Sequence, residues 1–283
     1  MIQKIQASRE LTLFRNANAL TIAGSDPSGG AGLQADLKTF QRIGAYGTGV
    51  VTLLTVQNTL GVRAIEILSP DFVVAQIDAV LSDIPPRAAK TGALGNAAMI
   101  EAVAERAKDF SFPLVVDPVM ISKHRDVLLP ADAIKVMAKQ LLPVAYLVTP
   151  NRFEAEKLCG EPIDPSDSKS VANAIRILHE LGARNVLLKL GEVDGVSVNI
   201  LGLGTENIAF QLPRLETRNT HGTGCVLSAA IVAGLAIGHD LRWSVDHAIR
   251  AVHYGIETGQ PVGAGQHPIE FNAIPFGLDD QSE

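Results

Sequence analysis

Short apolar runs recur along this chain with amphipathic helical stretches between them, and few architectures can absorb that rhythm. The runs are ALTIAG (19–24), YGTGVVTLLTVQN (46–58), AAKTGAL (88–94), PLVVDPVM (113–120), AYLVTPN (145–151) and NVLLKLG (185–191). Helical patterns span 30–43, 70–82, 96–109, 131–141, 152–159, 168–181 and 225–237. Continuous apolar strands separated by helices predict an α/β fold with a mostly parallel sheet covered on both faces. Residues 196–215, VSVNILGLGTENIAFQLPRL, depart from the rhythm and read as an antiparallel pair turning near Gly202–Asn207. There is no Pro- or Ser-rich linker and no internal repeat. The expectation is one domain over 19–275, with an N-terminal extension (1–18) and a C-terminal tail (276–283).

At 283 residues and 47% hydrophobic, the chain can bury a large core. Net charge is −6 with both signs well mixed, and no basic stripe or zinc-finger spacing occurs, which argues against a nucleic-acid partner. The two cysteines, Cys159 and Cys225, make no disulfide framework, and reduced thiols in the cytoplasm are the simpler reading. Residues 1–18 lack the apolar core of a signal peptide, and LSAAIVAGLAIG is too short and small-residue-rich for a membrane span. A soluble cytoplasmic protein without a membrane partner is expected.

Every distinctive polar cluster falls at the end of an expected strand: GSDPSGGAG, QNT, KTGALG, DPVMISKHRD, TPNRFE and KLGE. In open sheets ligands bind beyond the carboxyl ends of the strands, so the coincidence points to one composite site. GSDPSGGAG (24–32) is neither the dinucleotide G-x-G-x-x-G in register nor a P-loop. In HGTGC, Gly222 and Gly224 allow consecutive N–H groups to converge ahead of helix 225–237, a nest suited to phosphoryl oxygens. Cys225 sits in that field, where a helix N-terminus lowers a thiol pKa and prepares it to accept a proton or attack as a nucleophile. Its plainer reading, a small buried residue packing the first turn, weighs equally. His221 next to it reads as a structural or loop residue.

Together ALTIAGSDPSGGAGLQADLKTFQRIGAYG, QNTLGV, VVDPVM, LVTPNRFEA and NTHGTGC resemble the hydroxymethylpyrimidine/phosphomethylpyrimidine kinases of thiamine biosynthesis, within the ribokinase-like superfamily. The match runs in order over about 19–270. The resemblance implies an ATP- and Mg²⁺-dependent kinase, and leaves a monovalent cation such as K⁺ open. It implies a homodimer or other homo-oligomer and phosphorylation of 4-amino-5-hydroxymethyl-2-methylpyrimidine, then of its monophosphate. By the same resemblance Cys225 is the base, and Gly222, Thr223 and Gly224 form the nest. Gly24, Asp36, Gln57, Ala93 and Val119 fall at substrate positions, and Lys189, Asn151 and Thr220 at nucleotide positions. Glu154 with Asn151 forms an N-x-x-E motif that organises Mg²⁺ largely through water. Gln57 also makes independent sense, because a primary amide can pair with both the amino donor and the ring-nitrogen acceptor of an aminopyrimidine.

Three positions depart from the pattern: Ala93 where many members carry methionine, KHRD (123–126) for K-S-G-D, and KLGE (189–192) for a K-G-G-H-like stretch. The closest rival is a pyridoxal kinase on the same scaffold, which QNT disfavours. A non-catalytic pyrimidine sensor is a second alternative, disfavoured by the intact phosphoryl-transfer motifs.

Overall fold

The computed structural model describes residues 17–120 and 129–274. Its sheet contains β1 (Asn18–Ser25), β2 (Tyr46–Asn58), β3 (Gly61–Ile67), β4 (Ala88–Thr91), β5 (Leu114–Val116), β6 (Leu147–Val148), β7 (Val186–Val193), β8 (Val196–Leu203) and β9 (Glu206–Pro213). The spatial order is β3-β2-β1-β4-β5-β6-β7-β8-β9. Strands β2 through β7 run parallel, while β3 and the β8–β9 hairpin add antiparallel edges. The chain therefore moves one way from β1 to β3 and the other way from β4 onward. That reversal opens a crevice beyond the ends of β1 and β4.

Alternate strand residues point to opposite faces, and two core clusters follow from this. Leu20, Ile22, Ala89, Val116, Val148 and Leu188 pack beneath α2 (Pro70–Asp83), α3 (Ala97–Ala107), α4 (Ala131–Val136), α5 (Arg152–Cys159) and α6 (Ser168–Glu180). Ala19, Ala88, Val115, Leu147 and Leu187 face α1 (Gly32–Ile43), α7 (Thr223–Ile237) and α8 (Leu241–Thr258). The result is the expected three-layer sandwich. Helix α7 is apolar on every side because α1, α8 and the sheet enclose it.

Two elements were absent from the sequence reading. Helix α8 starts at Asp240, whose side chain accepts from the Trp243 N–H, and β3 is an exposed edge strand. The expected strands 113–120 and 145–151 shorten to three and two residues. The residues that follow each strand leave the sheet, and Asp117, Val119 and Asn151 among them line the crevice. The expected helix 131–141 holds, with its second half wound more loosely as a π-helical turn.

Candidate active site

The two glycine loops lie against each other. Gly222 has φ +80, and a Cβ there would lie 1.8 Å from the carbonyl oxygen of Gly30. Only glycine fits so close an approach in that conformation. Gly30 in turn abuts the His221 ring, at 2.4 Å from where its own Cβ would stand. His221 Nε2 lies 2.8 Å from Asp26 Oδ2, both side chains being buried. Asp26 also accepts from the Ser28 N–H and hydroxyl and from the Ala31 N–H. His221 is thus a clasp between loops, in keeping with the structural reading.

Gly222 caps α7 without a side-chain hydrogen bond, so the first N–H groups of that helix remain available to a ligand. Cys225, in this first turn, lines the adjacent cavity. Its thiol is not acidified. Burial pushes it up to about 11; Lys90 pulls down, while Asp36 and Asp117 push up. Desolvation of the sulfur thus works against the lowering expected at a helix N-terminus.

A cavity of about 930 Å³ gathers residues from every polar cluster. That lies in the upper range of ligand sites, room enough for two substrates together. Gly24, Gln57, Ala93, Val119, Asn151, Glu154, Lys189, Thr220, Gly222, Thr223, Gly224 and Cys225 all line it. Asp36 does not. It is fully buried behind the cavity, its carboxylate taken by Lys90 Nζ at 2.9 Å and Thr21 Oγ1 at 2.6 Å. His124 and Arg125 of KHRD lie outside the described residues.

Gln57 is the penultimate residue of β2, its Oε1 accepting from Thr55 Oγ1 at 3.2 Å. Asn151 and Glu154 form a reciprocal capping box on α5. The Glu154 N–H donates to Asn151 Oδ1 at 3.0 Å, and the Asn151 N–H to Glu154 Oε2 at 2.8 Å. Burial raises Glu154 to about 7, Lys189 opposing and Asp117 reinforcing the shift. Lys189 Nζ lies 3.5 Å from Asp117 Oδ1. A Cβ on Gly224 would be 3.6 Å from both Lys189 Nζ and Asp117 Oδ2, so a cation and a carboxylate converge on the nest.

Sequence reasoning missed several lining residues. Ile249, Val252, His253 and Ile256 come from α8, and Ser197, Asn199 and Leu212 from β8 and β9. The Asp240 N-cap before an amphipathic run could have revealed α8. Buried Lys90, inside the quoted KTGALG, carried no such signal.

A family model described as phosphomethylpyrimidine kinase matches residues 26–270. The chain belongs to the phosphomethylpyrimidine kinase family. A hydroxymethylpyrimidine/phosphomethylpyrimidine kinase of Synechococcus elongatus is 42% identical, covering 89% of this chain and 95% of the relative. The thiamine biosynthesis bifunctional protein ThiED of Geobacter sulfurreducens is 47% identical over 90% of this chain. The match spans about half of that longer protein, 52%. Among solved structures, an ADP complex of Bacillus subtilis pyridoxal kinase superposes with TM-score 0.84 at 32% identity, over 91% of this chain and 98% of its own. As a member of the phosphomethylpyrimidine kinase family the chain is a kinase, and ATP is its phosphoryl donor. No helix among the described residues is long and apolar enough to cross a membrane.

Proposed function

We propose that this chain transfers the γ-phosphoryl group of ATP to the hydroxymethyl group of 4-amino-5-hydroxymethyl-2-methylpyrimidine, and then to the resulting monophosphate, in thiamine biosynthesis. The observation that carries this reading is that Gln57, Cys225 and the uncapped first turn of α7 line one cavity. The Gln57 amide pairs with the aminopyrimidine edge, with Gly24, Ala93 and Val119 as neighbouring wall. The Gly222–Gly224 turn, with Lys189, receives the phosphoryl oxygens. Thr220 and Asn151 lie on the nucleotide side.

In the transfer, the hydroxyl proton passes to the Cys225 sulfur in its thiolate form. The substrate oxygen bonds to the γ-phosphorus, and the bridging bond to ADP breaks. Because the thiol is held high, only the minor thiolate fraction does this at neutral pH. Phosphoryl transfer is governed chiefly by positioning and charge neutralisation, so a scarce base suffices.

The donor set fits a water-mediated Mg²⁺. Among the described residues no group of three His, Cys, Asp or Glu side chains is arranged to hold a metal. Both Asn151 Oδ1 and Glu154 Oε2 already accept backbone N–H groups. Mg²⁺ characteristically keeps several waters and leans on substrate phosphates, which Glu154 and Asn151 would reach from the capping box. It would supply charge neutralisation at the phosphates.

Likeness to pyridoxal kinase and the small Ala93 side chain favour pyridoxal as the second acceptor to test. The experiment is an ATP/Mg²⁺ assay with the hydroxymethylpyrimidine, its monophosphate and pyridoxal, products resolved by mass. Diphosphate from the pyrimidine supports the two-step reading; turnover of pyridoxal alone overturns it. Omitting K⁺ tests the monovalent-ion requirement, and sedimentation tests the proposed homo-oligomer. Fractionation of cells tests the cytoplasmic assignment.

A further inference from the structure

We infer that Lys90 is a positioning residue for Cys225, its ammonium serving as the fixed counter-charge to the sulfur in the thiolate form. This rests on the reading of Cys225 as proton acceptor, and goes beyond it by naming what makes that form attainable.

Thr21 and Lys90 are register partners on β1 and β4. They share the face occupied by Ala19 and Ala88, the face covered by α1 and α7. Asp36 descends from α1 and accepts from both. Lys90 is fully buried. An ammonium has three donors, yet among the described residues the one hydrogen bond of Lys90 is to Asp36 Oδ1. Two residues further along the chain Gly92 lines the cavity, and a Cβ there would lie 3.9 Å from Lys90 Nζ. The ammonium therefore stands directly under the cavity floor with donors to spare.

Stability alone does not account for this arrangement. A buried ion pair is often matched or bettered by well-packed apolar residues of similar volume, and the surrounding positions Ala19, Ala88 and Ala230 are already apolar. Electrostatics supplies the other reason. Burial alone would drive Lys90 toward neutrality, but Asp36, Cys225 and Asp117 outweigh it, so its pKa is raised and the charge stays. Around Cys225 stand Asp36 from α1, Lys90 from β4 and Asp117 after β5. Lys189 from β7 reaches the sulfur's surroundings through Asp117. His253 from α8 and the Asp26–His221 pair line the same cavity. Helix α7 carries no other titratable side chain. Lys90 pulls the Cys225 thiol down, while Asp36 and Asp117 push it up.

The test is the pH dependence of Cys225 alkylation by iodoacetamide in the full chain, with peptide mass spectrometry separating it from Cys159. The midpoint is read for wild type, Lys90→Met and Asp36→Asn. Midpoints, unlike absolute rates, do not follow accessibility. The expected result is opposite displacement. Lys90→Met lowers the thiolate fraction at a given pH about tenfold, and Asp36→Asn raises it by a similar factor, roughly one pKa unit each way. A shared direction, or no displacement in either, overturns the inference, since a purely structural pair gives no reason for opposite signs. If Lys90→Met fails to fold, Lys90→Met/Asp36→Asn leaves no unpaired charge and is compared with Asp36→Asn alone. The same lowering is then expected, and equal midpoints overturn the inference. Opposite midpoints with an unchanged kcat in the Cys225→Ala variant would retire the proton-acceptor reading while leaving the Lys90–Cys225 coupling in place.

Discussion

His221 Nε2 and Asp26 Oδ2 lie 2.8 Å apart although 195 residues separate them in sequence, and this contact fixes the nest against the first glycine loop. His221→Ala leaves a buried carboxylate short of one donor, at a cost of about 1–3 kcal/mol. His221→Gln, which can offer an N–H at similar reach, recovers most of it. Urea titration of the three proteins checks the ranking. For Asp26, burial pushes the carboxyl up, but hydrogen bonds from His221 and Ser28 prevail and hold it below the ordinary value of 3.8. Its contribution is therefore complete above that value and is lost as pH falls through the lower, folded one. Asp26→Asn removes this acid limb from the stability profile.

Gly222→Ala places a Cβ against the Gly30 carbonyl and forces an L residue to φ +80. The conformation alone costs roughly 1–2 kcal/mol. The overlap drives the loops apart. The expected outcome is a lower melting temperature and a kcat reduced at least tenfold, with both read on the same preparation.

Glu154 is raised by burial to about 7, so it favours the folded state most at low pH. Stability falls as pH rises from the unfolded carboxyl value, about 4.3, to about 7, and is level beyond. Glu154→Gln flattens that slope, whose total is on the order of 4 kcal/mol at most. Denaturation midpoints taken across this range decide it. The variant also raises the Mg²⁺ concentration needed for half-maximal rate if Glu154 assists the ion.

Cys225→Ala lowers kcat by roughly 10²–10⁴ with a much smaller effect on the pyrimidine KM, the range of a lost general base. Because burial holds the thiol near 11, wild-type kcat climbs with pH from neutrality toward the alkaline limit of stability. The climb disappears in Cys225→Ala. A flat wild-type profile would count against thiolate as the acceptor.

Gln57→Met removes the bidentate amide near the end of β2 and raises the pyrimidine KM at least tenfold. The pyridoxal KM is little changed. Competition between the two acceptors in one assay measures the ratio directly.

The alternation of strands and helices was legible because both faces of the sheet are covered, leaving near-continuous apolar runs. What escaped it had local causes. Strand β3 exposes Arg63, Ala64, Ile65 and Glu66, so it never reads as a buried run. Asn-x-x-Glu at 151–154 carries two meanings at once: a resemblance to phosphate-site motifs, and the plain helix-start signature that the backbone uses. Asp36 stands among Ala35, Thr39, Phe40 and Ile43 on the buried face of α1. A carboxylate there needs a partner, and the sequence gives no sign that Lys90, 54 positions away, supplies it. Nor does a glycine-flanked cysteine reveal whether dipole or desolvation will prevail. That balance depends on packing by α1 and by the strands beneath.

The nest belongs to a helix that occupies the middle of one face yet comes late in the chain. During synthesis, β1 through β7 and the Gln57 wall can all be in place before Thr223 exists. The phosphoryl end of the cavity is therefore completed last, when α7 packs onto the sheet beside α1 and α8 closes against it. A chain interrupted before α7 would carry Gln57, Asn151 and Lys189 but neither the Gly222–Gly224 turn nor Cys225, and one face of its sheet would lack its main cover.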